Sequence, residues 1–377
     1  MLLQNKQVAI IGAGPVGLTM AKLLQQQGVA VNVYERDKNP QARVWGGTLD
    51  LHKNSGQLAM AKAGLLQKYY DLALPMGIKI ADEHARILFT KPITAQNAHD
   101  NPEINRSELR KMLLNSLVAA TVVWDSKFTG MEEHDGKWLI HFEDKPDAMA
   151  DVVIGANGGM SKVRDYVTVA EIKATGSFII QGDVPQPEQC LPEFYKLCND
   201  HRLMAAHDGN MLVVNPRNGN LLSYGIIMKT PEEWADGGAP DFNDNDNIVK
   251  YLTQRFAGWN ERYHELFDAT AFFAGITTKV APLDTHWKTD RPLPITLIGD
   301  AAHLMPPFAG MGVNTGLLDA LRLSENLTDT KYQSIEDAIG AYEQQMFSYA
   351  FAAQAESHKN EMEMRDPKFS FRQLLGI

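Results

Sequence analysis

An α/β fold follows from three features of the amino-acid sequence. A short apolar strand runs into a glycine turn near the N-terminus, strand–turn units of the same kind recur far along the chain, and a stretch of short alternating strands lies between them. The expected architecture is a Rossmann-like nucleotide domain, an inserted β-rich module, and a long C-terminal helix bridging the two.

The first unit is VAIIGAGPVGLTMAKLLQQQGVAVNVYER, residues 8–36. Val8 to Ile11 has the continuous apolar character of a strand buried on both faces. Gly12, Gly14 and Gly17 then fit G-x-G-x-x-G, the spacing that lets backbone and helix approach a pyrophosphate closely. Pro15 suits the first helical turn, where its missing N–H would have no partner anyway. Leu18, Ala21 and Leu24 recur at helical spacing and Gly28 ends that helix. Ala30 to Tyr34 is the second strand. Glu35 stands at its end, about 20 residues beyond the glycines, where an acid bonds a ribose hydroxyl.

Downstream, Ser55 to Tyr70 has helical periodicity and Gly77 to Phe89 alternates as strands do. Arg106 to Leu117 reads as an amphipathic helix with Arg106 and Arg110 on one face, able to clamp phosphate. Short strands flank the Asp135-Gly136 turn. A second buried strand and glycine turn follow in Asp151 to Arg164. From Thr175 to Thr278 short strands dominate, so the expected domains are 1–174 with 279–330 for the nucleotide and 175–278 for the substrate. The 75–92 segment is a candidate addition to the substrate side. Asp241 to Asn247 lacks the glycine and distal glutamate of a calcium loop and reads as a helix-capping turn. Ser334-x-x-Asp337 opens a helix over 334–365 that Pro367 stops.

The chain has 377 residues, 44% hydrophobic and 22% charged, with a formal net charge of −10. That balance speaks against nucleic acid as a partner, since phosphate contacts need clustered cations. Only Cys190 and Cys198 are present, too few for a disulfide scaffold, and no metal-ligand spacing accompanies them. The N-terminal apolar run lacks a cationic lead and serves the nucleotide fold, and no stretch has the length of a membrane span. A cytoplasmic, monomeric protein working on a small molecule is expected.

The most specific segment is GDAAHLMPPFAGMGVN, residues 299–314. It comprises a strand ending in Asp300, a proline-stiffened loop, and a helix beginning near Gly312 whose N–H groups favour negative charge. Together, the dinucleotide turn, the Asp151 to Arg164 turn and this segment resemble, in that order, the three motifs of the FAD-dependent aromatic hydroxylases, the single-component flavin monooxygenases. Within that family the runs ARVWGGTLDLHK, YYDLALPMG, DNPEINR, ANGGMSKVR and YEQQMF resemble its tetracycline-inactivating members.

The resemblance implies FAD, NADPH and O2 as co-reactants, and hydroxylation of an electron-rich polycyclic substrate, foremost an enolic ring carbon of a tetracycline. It implies that the flavin carries the oxygen chemistry, so that no side chain is itself catalytic. Gly12, Gly14, Pro15 and Gly17 would hold the pyrophosphate, with Glu35 and Arg36 at the adenosine. Arg106 and Arg110 would meet the phosphates or ribityl chain, Asp50 would lie beside the flavin, and Asp300 would bind the ribityl or pyrophosphate region. Pro307, Gly310, Gly312, Val313 and Asn314 would border the isoalloxazine, and Arg43 would contact NADPH. Gln181, Arg202, Asn215, Ser223, Phe308, Met364 and Phe371 would surround the substrate.

Four positions depart from the pattern. Asn157 replaces an aspartate of the broad family, as in its tetracycline-inactivating members, and Met311 replaces a glutamine beside the flavin. Ser223 stands where the tetracycline-inactivating members have a histidine, and Val213 where an aromatic is expected. A serine is shorter and does not take up a proton near neutral pH. The same chemistry on another phenol or enol is therefore the alternative expectation, and a flavin-binding protein without oxygenase activity is the third.

Overall fold

A computed structural model describes residues 2–42, 47–236 and 238–377. Its first layer is a five-stranded sheet in which Ala30–Tyr34, Gln7–Ile11, Val152–Gly155 and Ile295–Leu297 pair in parallel, in that spatial order, with Val122–Val123 at the edge. Gln7–Ile11 and Val152–Gly155 are almost wholly buried, with helices on one face and the three-stranded antiparallel sheet Phe128–His134, Lys137–Phe142 and Lys145–Ala150 on the other. The helices Pro15–Gln25 and Gly312–Thr328 pack against each other over this sheet. The first follows its strand after a three-residue glycine turn and the second follows the loop beyond Asp300–His303, and both N-termini open on one cavity.

The second layer is a seven-stranded sheet. Its five consecutive strands are Phe272–Val280, Lys173–Pro185, Leu221–Lys229, Asn210–Asn218 and His201–His207. Gly77–Ala81 then joins His201–His207 in parallel, and Ile87–Lys91 forms the edge. One face of this sheet is covered by the helices Asn245–Arg255 and Glu261–Asp268, burying Phe194, Phe256, Tyr263 and Phe267. The other face looks toward the nucleotide domain.

Local differences from the sequence reading have physical causes. The stretch 55–70 is two helices, Gly56–Lys62 and Leu66–Leu72, because Gly64 turns left-handed at φ +71° between them. The helix from Arg106 ends at Leu114 rather than Leu117. Lys145–Ala150 and His201–His207 are additional strands whose pattern alone did not mark them. Asp244 caps the helix Asn245–Arg255 by accepting the Asn247 N–H at 3.3 Å.

The closing helix Ile335–Met364 spans 30 residues, about 45 Å at 1.5 Å per residue. Ser334 caps it by accepting the Asp337 N–H at 3.0 Å. Near its far end the buried Glu361 accepts from Thr175, while Thr175 and Thr278 lie with their hydroxyl oxygens 2.6 Å apart. Those threonines mark the strands by which the chain enters and leaves the second sheet. No helix among the described residues is long and apolar enough to cross a membrane.

Candidate active site

Between the two sheets lies a cavity of about 540 Å³. From the nucleotide domain it is lined by Gly14 to Val16, Thr48 to Asp50, Arg106, Asp300 and Gly310. The facing sheet contributes Gln181, Arg202, Val213, Asn215 and Ser223.

The dinucleotide turn is built for close approach on one side and openness on the other. A Cβ at Gly17 would lie 2.1 Å from the Gly12 carbonyl oxygen, an impossible contact, whereas one at Gly14 would meet nothing within 4 Å. Glu35 braces the turn from below: its carboxylate accepts the Ala13 N–H at 2.6 Å and the Asp37 N–H at 3.0 Å. Arg36 is exposed beside it. Arg110 is buried, donates to Asp37 at 2.7 Å, lies over the Trp124 ring, and keeps its Nε without a partner.

Arg164, at the end of the second glycine turn, ties that turn to the third. Its guanidinium donates to the carbonyls of Gly159 (2.7 Å), Asp300 (2.8 Å) and Ala301 (2.9 Å). Directly behind, His303 Nε2 meets Asp319 at 2.7 Å with both side chains fully buried. Asp319 also accepts the Gly299 N–H and the Tyr349 hydroxyl, each at 2.7 Å. Burial pulls the His303 pKa down, but the Asp319 carboxylate outweighs it and the value is raised.

Asp300 is exposed to the cavity, and Asp50 and Arg106 are half-buried in its wall. Burial raises the Asp300 carboxyl, and the His303, Arg106 and Arg164 charges only partly offset this. For Asp50, burial works in the same direction, but bonds from His52 and Asn101 and the Arg202 charge leave it lowered. Arg106 donates to the Gly47 carbonyl at 2.9 Å.

On the facing sheet the cross-strand register sorts side chains by polarity. Asp183, Ser223 and Asn215 lie directly opposite one another on adjacent strands, and Arg202 continues this end of the face. The next row holds Gln181, Gly225, Val213, Met204 and Ile80, and beyond it come Ile179, Ile227, Met211 and Ala206. The polar end thus faces Asp50 and Arg106, and the apolar end runs away from them. Phe308, Met364 and Phe371 pack with that apolar end in a small hydrophobic cluster, not on the cavity wall. Pro307, Gly312 and Val313 line the cavity. The Asn314 side chain is turned inward and bonded to the 50–55 segment. Arg43 lies outside the described residues.

The hydroxyl of Ser223 donates to Asp183 at 2.6 Å and accepts from Asn218 at 2.9 Å, and Asn218 in turn accepts from Asn105 at 2.6 Å. Asp183, Glu103 and Arg164 had no role in the sequence reading. Their place follows from strand register and from contacts across more than 35 residues, which no periodicity encodes.

Whether these residues suit a flavin dinucleotide is tested by the helix ends. The helices beginning after Gly14 and Met311 open on the cavity with no side-chain cap. Among the described residues the other helices of eight residues or more, those beginning after Asn105, Asp244, Asn260 and Ser334, are capped by those side chains. Uncapped N–H groups, an open Gly14 and the orphaned Arg110 Nε fit a long ligand bearing negative charge.

Residues 5–356 match the family described as FAD binding domain. The chain belongs to this family, that of the FAD-dependent aromatic hydroxylases. It is 25% identical over 395 residues to the monooxygenase penA of Penicillium thymicola, covering 90% of each. Its fold is shared with Klebsiella pneumoniae HpxO, solved with FAD and uric acid (TM-score 0.81, 21% identity, 99% of this chain and 92% of that one). It is also shared with the tetracycline destructase Tet(55) (TM-score 0.75, 19% identity, 96% and 90%).

Proposed function

We propose that the protein is an NADPH- and O2-dependent monooxygenase that hydroxylates an electron-rich polycyclic phenol or enol, with tetracyclines the first substrates to examine. The supporting observation is the single cavity shared by the uncapped helix ends and the graded face of the second sheet. The relative penA carries the word monooxygenase, and the Tet(55) likeness in fold agrees with the tetracycline reading.

Bound FAD would supply the hydride acceptor and the oxygen chemistry. The chain's own residues bind and orient. Gly12, Gly14, Pro15 and Gly17 receive the pyrophosphate, with Glu35 holding the turn and Arg36 beside the adenosine. Arg106, Arg110 and Asp300 bracket the phosphates and ribityl chain. Asp50, Pro307, Gly310 and the N–H groups of Gly312, Val313 and Asn314 border the ring, and Arg43 meets NADPH. Gln181, Arg202, Asn215 and Ser223 orient the polar edge of the substrate, and its body lies along Ile179, Val213 and Ile227. Phe308, Met364 and Phe371 close the apolar end against water.

The test is reconstitution with FAD, followed by NADPH oxidation with and without tetracycline and mass spectrometry of the product. Oxidation stimulated by tetracycline and a product heavier by one oxygen support the reading. Unstimulated oxidation without such a product refutes it for tetracyclines.

A second reading keeps the chemistry and changes the substrate. It is favoured by Ser223, whose only proton is already donated to Asp183, so that it offers a substrate an acceptor and no cation. A screen of phenols and enols by NADPH-dependent oxygen uptake decides between them, and Ser223→His tests whether this position limits tetracycline turnover.

A further inference from the structure

Glu103 sits on a two-residue strand, Glu103–Ile104, that pairs antiparallel with Leu49–Asp50. Its backbone is held on the other side by Leu74 through N–H···O bonds of 2.7 and 2.8 Å. The side chain is almost completely buried, and both of its oxygens are engaged. One meets the Arg202 guanidinium; the other accepts the Thr48 hydroxyl, which in turn accepts from the Asn215 amide. A chain of polar contacts from Arg202 through Glu103 and Thr48 to Asn215 therefore joins the second sheet to the nucleotide domain at the polar end of the cavity.

This arrangement determines the charge a ligand meets there. Arg202 is in contact with Glu103 and also lies in the field of Asp50. The other cation on the described cavity wall, Arg106, lies in the field of Asp300. Two carboxylates thus flank Arg202, and Asp50 is itself held ionised by His52 and Asn101. A ligand carboxylate brought to Arg202 would have to displace or face Glu103, and like charges at such an approach are costly where water is scarce.

We propose that Glu103 is a positioning and specificity-determining residue: by neutralising Arg202 it makes the cavity select an uncharged hydroxylated ring system over one that carries a carboxylate. The guanidinium keeps N–H groups for a neutral acceptor such as a carboxamide or ketone oxygen, and the paired carboxylate repels an anion. This rests on the reading of the cavity as the substrate compartment.

The experiment measures binding, with no NADPH and no turnover, to the FAD-loaded protein. The ligands are salicylamide and salicylate, which differ in charge and little in shape, and titration calorimetry gives the ratio of their dissociation constants. The native protein is expected to bind salicylamide at least about tenfold more tightly, and Glu103→Gln to shrink or invert that ratio by about tenfold. Glu103→Asp, which keeps the charge, is expected to retain the native preference. The proposal is overturned if native protein binds salicylate as tightly as salicylamide, if neither binds at millimolar concentration, or if the ratio in Glu103→Gln is unchanged. Should Glu103→Gln not fold, Glu103→Ala, which also removes the carboxylate, is read in its place with the same expected and overturning ratios. Failure of oxygen transfer would leave this ratio untouched, so the two readings fail separately.

Discussion

The carboxamide of Asn314 grips the main chain of His52 and Asp50 in both directions. Its Oδ1 accepts the His52 N–H at 2.7 Å and its Nδ2 donates to the Asp50 carbonyl at 2.9 Å, across 262 and 264 residues of sequence. The start of the helix Gly312–Thr328 is thereby fastened to the strand that carries Asp50. Asn314→Ala would leave two half-buried backbone groups without these partners, at a cost of about 1–3 kcal/mol. Urea denaturation should show that loss, together with weaker FAD retention.

Gly14 and Gly17 should part company on substitution. Alanine at Gly17 collides with the Gly12 carbonyl and should lower both stability and FAD affinity. Alanine at Gly14 meets open space, so the melting temperature without FAD should stay within about a degree, its surface-like cost being within about 0.5 kcal/mol. FAD titration by fluorescence should nonetheless show weakening of at least about tenfold, because in the proposed binding mode the added methyl would stand where the pyrophosphate comes closest.

The pair of His303 and Asp319 makes stability depend on pH with a definite sign. The folded His303 value is raised, so the proton it holds stabilises the fold fully below the unfolded value of about 6.5. That contribution is lost as pH climbs through the raised folded value. Melting temperature should therefore fall from pH 6 upward in the native protein, and His303→Gln should flatten this part of the profile. Asp319→Asn, which strands a buried partner, should cost about 3–5 kcal/mol at pH 6.

Arg164→Gln should unlock the second glycine turn from the third. Three carbonyls lose charge-assisted donors, and a loss of about 2–4 kcal/mol is expected from the size of such bonds. Hydrogen exchange should quicken at Gly159 and Ala301 before it does in the central strands.

The nucleotide domain was legible because its signals are local. Val8 to Ile11, the glycine turn, the Ala30 to Tyr34 strand and the segment beginning at Gly299 each announce themselves within a few residues by apolar runs and glycine spacing. Family likeness located Gln181, Arg202 and Asn215, which line the cavity. The polar network around them was not legible. Glu103 lies on a two-residue strand with no periodicity, and its meaning comes from Arg202, Thr48 and Leu74 brought in by tertiary pairing. Ser223 looked from sequence like a bare substitution; its bonds to Asp183 and Asn218 make it part of a continuous line to Asn105.

The two threonines whose hydroxyls meet at the crossing between domains bear on how such chains exchange parts by recombination. Entry and exit side by side would let residues 173–280 be swapped as a cassette with two splices, and Glu361 on the distant helix would re-staple the junction. The hairpin over 77–91 frustrates a clean transplant, since it supplies two strands of the same sheet from elsewhere in the gene. A chimaera carrying only the larger piece would leave His201–His207 beside a foreign strand. Functional hybrids should therefore inherit both segments from one parent.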